Sequence, residues 1–102
     1  MPVEGKTYAK NENNLQNAPQ SHGVYELYEG DRLIYIGRAA GTGVTINSRV
    51  NDHARGDDGS CTQAFTHYRR EVTENAEARE TELLEEYKQA NSGQLPACND
   101  VG

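Results

Sequence analysis

Apolar residues are scarce in this chain. Only 34% of its 102 residues are hydrophobic, tryptophan is absent, and phenylalanine and methionine occur once each. That length and composition allow one domain with a small core, in which each apolar stripe should stand out. No stretch reaches the roughly 18 apolar residues of a membrane span, so no membrane association is expected. Cysteine is also rare. Cys61 and Cys98 lie 37 residues apart with no CxxC neighbour. They match neither a zinc motif nor a disulfide framework, so reduced thiols in a cytoplasmic protein are expected. The opening stretch "MPVEGKTYAKNENNLQNAPQSHG" has no apolar segment of the secretory type, which points the same way.

Positive charge is the third shortage. Ten Lys and Arg stand against sixteen Asp and Glu, a net charge of −6, which argues against a generic nucleic-acid binder with a basic footprint. The distribution is uneven. Residues 1–31 sum to −3 and residues 71–90 to −5, whereas residues 32–55 carry Arg32, Arg38, Arg49 and Arg55 against Asp52 alone. If a polyanion binds, this basic island is its place.

Within these limits the chain reads as alternating elements. Val24 to Glu29 is rich in strand formers, Gly30-Asp31 is a turn, and Arg32 to Gly37 returns as a second strand. A glycine-bearing loop leads into "TINSRVNDHAR", where Ile46, Arg49, Val50 and His53 follow the i, i+3, i+4, i+7 pattern of one helix face. "GDDGS" breaks that helix, "AFTHYRREV" is a third strand, and Thr73 is the expected N-cap of a helix running to about Ala90. The fold class expected is α+β, a small three-stranded antiparallel sheet flanked by helices in the order ββαβα. Residues 1–22 are expected as a polar arm, mobile or loosely packed, before a folded domain over 23–102.

Two polar clusters sit on the inward faces of these helices. Glu80 lies within the apolar stripe of Ala76, Leu83, Leu84 and Tyr87. A carboxylate buried bare costs several kcal/mol, so Glu80 calls for a metal, an arginine partner or an escape to solvent. Arg49 and His53 share the face of Ile46 and Val50. They read either as an ion pair and a hydrogen-bonded histidine, or as a fork for phosphate oxygens beside a titratable group. Tyr25 and Tyr35 are strand aromatics whose usual place is a core. With their hydroxyls turned toward Arg49, His53 and Glu80, the set would suit phosphodiester hydrolysis.

"GVY" at 23–25 and "YIG" at 35–37, with Arg49 and His53 four residues apart, "ETELLEEY" at 80–87 and Asn99 in "LPACN", together resemble the GIY-YIG nuclease superfamily over residues 23–99. Val24 replaces the isoleucine of the first motif, Arg38 replaces a lysine often found after the second, and the loop before Arg49 is longer. The resemblance implies a nuclease domain over 23–102 that hydrolyses DNA with little sequence specificity. It implies Glu80 as the ligand of one Mg²⁺ or Mn²⁺ and Arg49 as the group that offsets transition-state charge. Tyr25 would be the general base and Tyr35 would orient water or phosphate, with His53 beside it. Arg38 and Asn99 are the expected substrate-side residues, Asn99 by tying the C-terminal segment to the site. His53 competes with Tyr25 as base, because its ordinary pKa of about 6.5 needs no large shift while tyrosine's lies near 10. Gly23 and Gly37 are read as backbone requirements, Gly37 at a strand end where the chain turns closely. So small a domain has little surface for reading bases. A partner protein, an added recognition domain, a homodimer or a structured substrate is therefore expected. The competing reading is a catalytically silent binding module with the same fold.

Overall fold

The computed structural model describes Val3 and residues 5–99; residues 1, 2 and 4 of the expected arm and residues 100–102 of the expected domain lie outside the described residues. The elements are β1 (Tyr8–Ala9), α1 (Glu12–Gln16), β2 (Gly23–Glu29), β3 (Arg32–Ala39), α2 (Ile46–Arg55), α3 (Ser60–Gln63), β4 (His67–Val72) and α4 (Ala76–Ala90). The sheet is antiparallel throughout and four-stranded, in the order β1-β4-β2-β3. The expected three-stranded ββαβα arrangement is thus corrected by an added edge strand and two added short helices.

The added pieces come from stretches with no hydrophobic period. β1 is held by pairing with β4, by the Tyr8 ring stacked on Tyr68 at 5.5 Å, and by Arg70 lying 4.0 Å over Tyr8. Asn11 caps α1 by accepting from the Asn14 amide. The helix is docked by side-chain amides rather than by an apolar stripe. Asn47 and Asn51 of α2 donate to the carbonyls of Leu15, Gln16 and Ala18.

One face of the sheet is covered by α1, α2 and α3 over a core that includes Tyr25, Leu27, Ile46, Val50, Phe65 and Tyr68. The other is covered by α4 through Val24, Ile36, Ala76 and Leu83, with Leu84 and Tyr87 partly buried beside them. The ends of α2 explain its orientation. Thr45 and Ser48 form a reciprocal capping box, and Gly56, at φ 85°, takes the left-handed conformation that stops the helix after Arg55. At α4 the cap is Asn75, not Thr73, whose hydroxyl instead accepts from the Asn75 amide ahead of the helix.

β3 is an edge strand, and the C-terminal segment closes it. Cys98 donates its backbone N–H to the Ile34 carbonyl at 2.8 Å. The Asn99 side chain accepts from the Ile36 N–H at 2.8 Å and donates to the Ile36 carbonyl at 2.9 Å. The same segment is bridged to α3 by a Cys61–Cys98 disulfide. This corrects the expectation of reduced thiols. The fold brings Cα atoms 37 residues apart in sequence to 5.7 Å, a separation at which a bridge forms without backbone movement. Among the described residues no helix is long and apolar enough to cross a membrane.

Opening the bridge frees a long loop in the unfolded chain, so reduction or Cys61→Ser is expected to lower unfolding free energy by about 3–4 kcal/mol. Urea unfolding of the oxidised and reduced protein, compared at equal pH, measures this.

Candidate functional site

The site is built on the β2–β3 pair. Tyr25 on β2 lies opposite Gly37 on β3 and is fully buried. Gly37 stands inside β3 rather than at a turning strand end, so its role differs from the one expected. A Cβ placed there would lie 2.5 Å from Tyr25 Cζ and Oη and 2.7 Å from Tyr35 Cε2. The missing side chain is the space in which the two phenols sit. Gly23 is likewise crowded, by the Glu71 carbonyl and the Ile46 side chain.

α2 carries His53 onto these rings, 5.5 Å from Tyr25 and 5.0 Å from Tyr35 between centroids. His53 is 1% exposed, and both ring nitrogens have partners. Nε2 is 2.9 Å from Tyr25 Oη, and Nδ1 is 2.8 Å from Thr62 Oγ1 on α3. Asp58 Oδ2 lies 3.6 Å from Nδ1. Arg49, one turn earlier on α2, contacts Asp52 at 3.3 Å and the same Asp58 oxygen at 3.2 Å. Its charge acts on the hydroxyls of Tyr25 and Tyr35, favouring the ionised form of each. Tyr35, Arg49, His53, Asp58 and Thr62 line a cleft of about 400 Å³.

Burial governs the charge state of this cluster. It pushes the Tyr25 hydroxyl far above its ordinary value, the neighbouring Tyr35 adds to the shift, and the Arg49 guanidinium opposes both without reversing them. Tyr35 is raised by burial, and also by the carboxylates of Glu80 and Asp58, against the pull of Arg49. Burial lowers His53 to about 4, although Asp58 favours its cation. At neutral pH the cluster therefore holds two phenols, a neutral imidazole and a guanidinium. The downward shift that a Tyr25 general base would need is thus reversed in this arrangement.

The hydrogen bonds have a direction. A carboxylate only accepts, and Asp58 lies on the Nδ1 side of His53, so the ring proton belongs on Nδ1. Nε2 is then bare, and the Tyr25 hydroxyl donates to it at 2.9 Å.

Glu80 and Arg38 form a separate pair on the α4 side. Arg38 donates to Glu80 Oε1 at 2.9 Å, with side chains 46% and 17% exposed. Neither lines the cleft, and Glu80 acts on it through its charge on Tyr35. Asn99 locks the edge of β3, its amide oxygen and nitrogen each bonded to the Ile36 backbone. Among the described residues no group of three or more His, Cys, Asp or Glu could hold a metal. The donor at Glu80 nonetheless fits Mg²⁺ or Mn²⁺, hard ions held by one or two carboxylates with water and substrate oxygens. Asp58 and Thr62 escaped the reading of the sequence, because "GDDGS" marked only a helix break and a hydroxyl nine residues after His53 follows no pattern.

Protein-family models give no match to the chain, and neither do curated proteins.

His53 provides a direct test of the buried geometry. Its pKa is lower folded than unfolded, so its contribution to stability is full above about pH 6.5 and is lost as pH falls through 4. The loss amounts to about 3 kcal/mol. NMR titration should place the His53 midpoint near 4. His53→Gln should lack this part of the acid slope in unfolding experiments.

Proposed function

We propose that the chain is a metal-dependent endonuclease that hydrolyses phosphodiester bonds in DNA with little intrinsic sequence specificity. One observation carries this reading: Arg49 and the Tyr35 phenol line one cleft together with a neutral imidazole, and the fully buried Tyr25 hydroxyl lies behind them, 2.9 Å from that imidazole's Nε2. A substrate phosphate would take the place of Asp58 on Arg49, exchanging one oxyanion for another. The negative charge it brings also favours protonation of His53.

Tyr25 and His53 then work as one unit rather than as rival bases. The attacking water gives its proton to the Tyr25 oxygen while the Tyr25 proton moves to His53 Nε2. The water oxygen forms its bond to phosphorus, the ester bond breaks, and the leaving oxygen is protonated from solvent. Arg49 holds the phosphate through this change, and Tyr35 orients the water or the phosphate. Glu80 would hold one Mg²⁺ or Mn²⁺, and Arg38, released from it, would be free for the DNA backbone. A bound ion would offset the charge that develops on the phosphate and the leaving oxygen.

The second reading is a silent nucleic-acid or protein binding module. It draws on Arg38 and Arg49 being neutralised by carboxylates and on Tyr25 keeping its proton. As to compartment, the Cys61–Cys98 bridge favours an oxidising surrounding over the cytoplasm expected from the sequence. DNA is the partner this reading takes, with selection of a site on it left to a second protein, a dimer or substrate shape.

The test is nicking of supercoiled and branched DNA at low salt with Mg²⁺ or Mn²⁺, and with EDTA as control. Metal-dependent nicking is expected, lost in Glu80→Ala and reduced about a hundredfold or more in Tyr25→Phe and Arg49→Ala. Activity that survives in Glu80→Ala sinks the mechanism. Inactivity of the native chain on both substrates favours the binding module.

A further inference from the structure

The mechanism leaves one buried polar contact without a task. Thr62 lies on a four-residue helix, is 3% exposed, and places Oγ1 2.8 Å from His53 Nδ1, the nitrogen away from Tyr25. Nothing about α3 as a helix requires that contact. Its neighbour Cys61 is bridged to Cys98, and the Thr62 carbonyl accepts from the Phe65 amide, so the hydroxyl is held from both sides.

The direction of the hydrogen bonds gives the contact a meaning. The Asp58 carboxylate, which only accepts, lies on the Nδ1 side of His53, and the Tyr25 hydroxyl, which can donate, lies on the Nε2 side. A neutral imidazole carries one N–H, so a ring that accepts at Nε2 must carry its proton at Nδ1. Two oxygens face Nδ1: Thr62 Oγ1, which can accept, at 2.8 Å, and the Asp58 carboxylate, which can only accept, at 3.6 Å. Only the threonine is at hydrogen-bond distance, and the Asp58 oxygen is already held by Arg49 at 3.2 Å.

We propose that Thr62 is a positioning residue: its hydroxyl oxygen accepts the Nδ1 proton of His53 and keeps Nε2 bare toward Tyr25. In the opposite tautomer an Nε2–H would meet the Tyr25 oxygen, and the phenol could no longer donate to the ring. Thr62 thus acts through His53 and touches no reacting atom, as the orienting third member of a nucleophile–base chain does. This rests on the nuclease reading for its effect on rate, but the tautomer itself does not.

The experiment has two readouts. Long-range ¹⁵N–¹H NMR of the histidine rings, assigned with His53→Gln, reports which nitrogen of His53 is protonated. Steady-state nicking of supercoiled plasmid with Mn²⁺ separates kcat from KM. Native protein is expected as the Nδ1–H tautomer, and Thr62→Val with a large share of Nε2–H. Thr62→Val should lose about tenfold or more in kcat, part of the ~10²–10⁴ that a positioned base supplies, with KM kept. Thr62→Ser should restore both tautomer and rate. An Nε2–H ring in the native protein overturns the proposal, and so does a Thr62→Val ring with native tautomer populations. A shifted tautomer with native kcat overturns its link to proton transfer. Should native protein fail to cut, the nuclease reading falls, while the ring spectra still decide what Thr62 does. The native spectrum alone tests the proposal if Thr62→Val does not fold.

Discussion

His53 is the joint between sheet and helix. Its ring lies in the core, and each nitrogen is tied to a different element, Nε2 to Tyr25 on β2 and Nδ1 to Thr62 on α3. A buried imidazole with one nitrogen unmatched would cost about 1–3 kcal/mol, so the three elements hold one another in register. The same demand appears across the molecule. Among the described residues no buried side-chain nitrogen or oxygen lacks a hydrogen-bond partner. A chain with so few apolar residues must bury polar groups to fill its interior, and it does so only where partners meet them. The candidate site is where this compromise is densest.

Charge obeys a similar rule. The basic island seen in the sequence is largely neutralised in the fold, with Arg38 on Glu80, Arg49 on Asp52 and Asp58, and Arg55 on Asp52 and Asp57. Pairs this close to solvent are individually weak. An arriving phosphate therefore loses little by displacing one carboxylate, but it also gains little beyond that exchange. On the proposed nuclease reading, the acidic total and the internal pairing would make the attraction for DNA weak and salt-sensitive, and substrate selection would have to act beyond this cluster of arginines.

What could be read in the sequence followed strong periodicity or strong spacing. The β2–β3 hairpin, α2 and α4 stood out because strand formers alternate, or apolar residues recur at helical intervals, over seven to fifteen residues. β1 and α1 did not, since two residues make no pattern and Asn side chains rather than apolar ones dock the helix. The grouping of Tyr25, Tyr35, Arg49 and His53 was legible through spacing on elements whose faces could be inferred. Glu80 was legible as an inward carboxylate, and its arginine partner was among the alternatives weighed. Asp58 and Thr62 were not, because the turn after Gly56 sets their direction and no periodicity extends into it. The bridge was hidden for a related reason: only the packing of the C-terminal segment on β3 brings Cys98 to Cys61.

That segment links two tasks that sequence position keeps apart. Cys98 and Asn99 satisfy the open edge of β3 at Ile34 and Ile36, and Cys98 also anchors the short helix that carries Thr62. A four-residue helix has no stability of its own in water, so its place depends on what it is tied to. Tyr35 and Gly37, on the strand closed by Asn99, flank the residue it grips. The strand that shapes the cleft and the helix that faces His53 are thus referred to one covalent anchor. Loosening it would act on the outer wall of the cleft, which both cysteines line, and on the core that Cys98 shares with Tyr25, Ile46 and Val50.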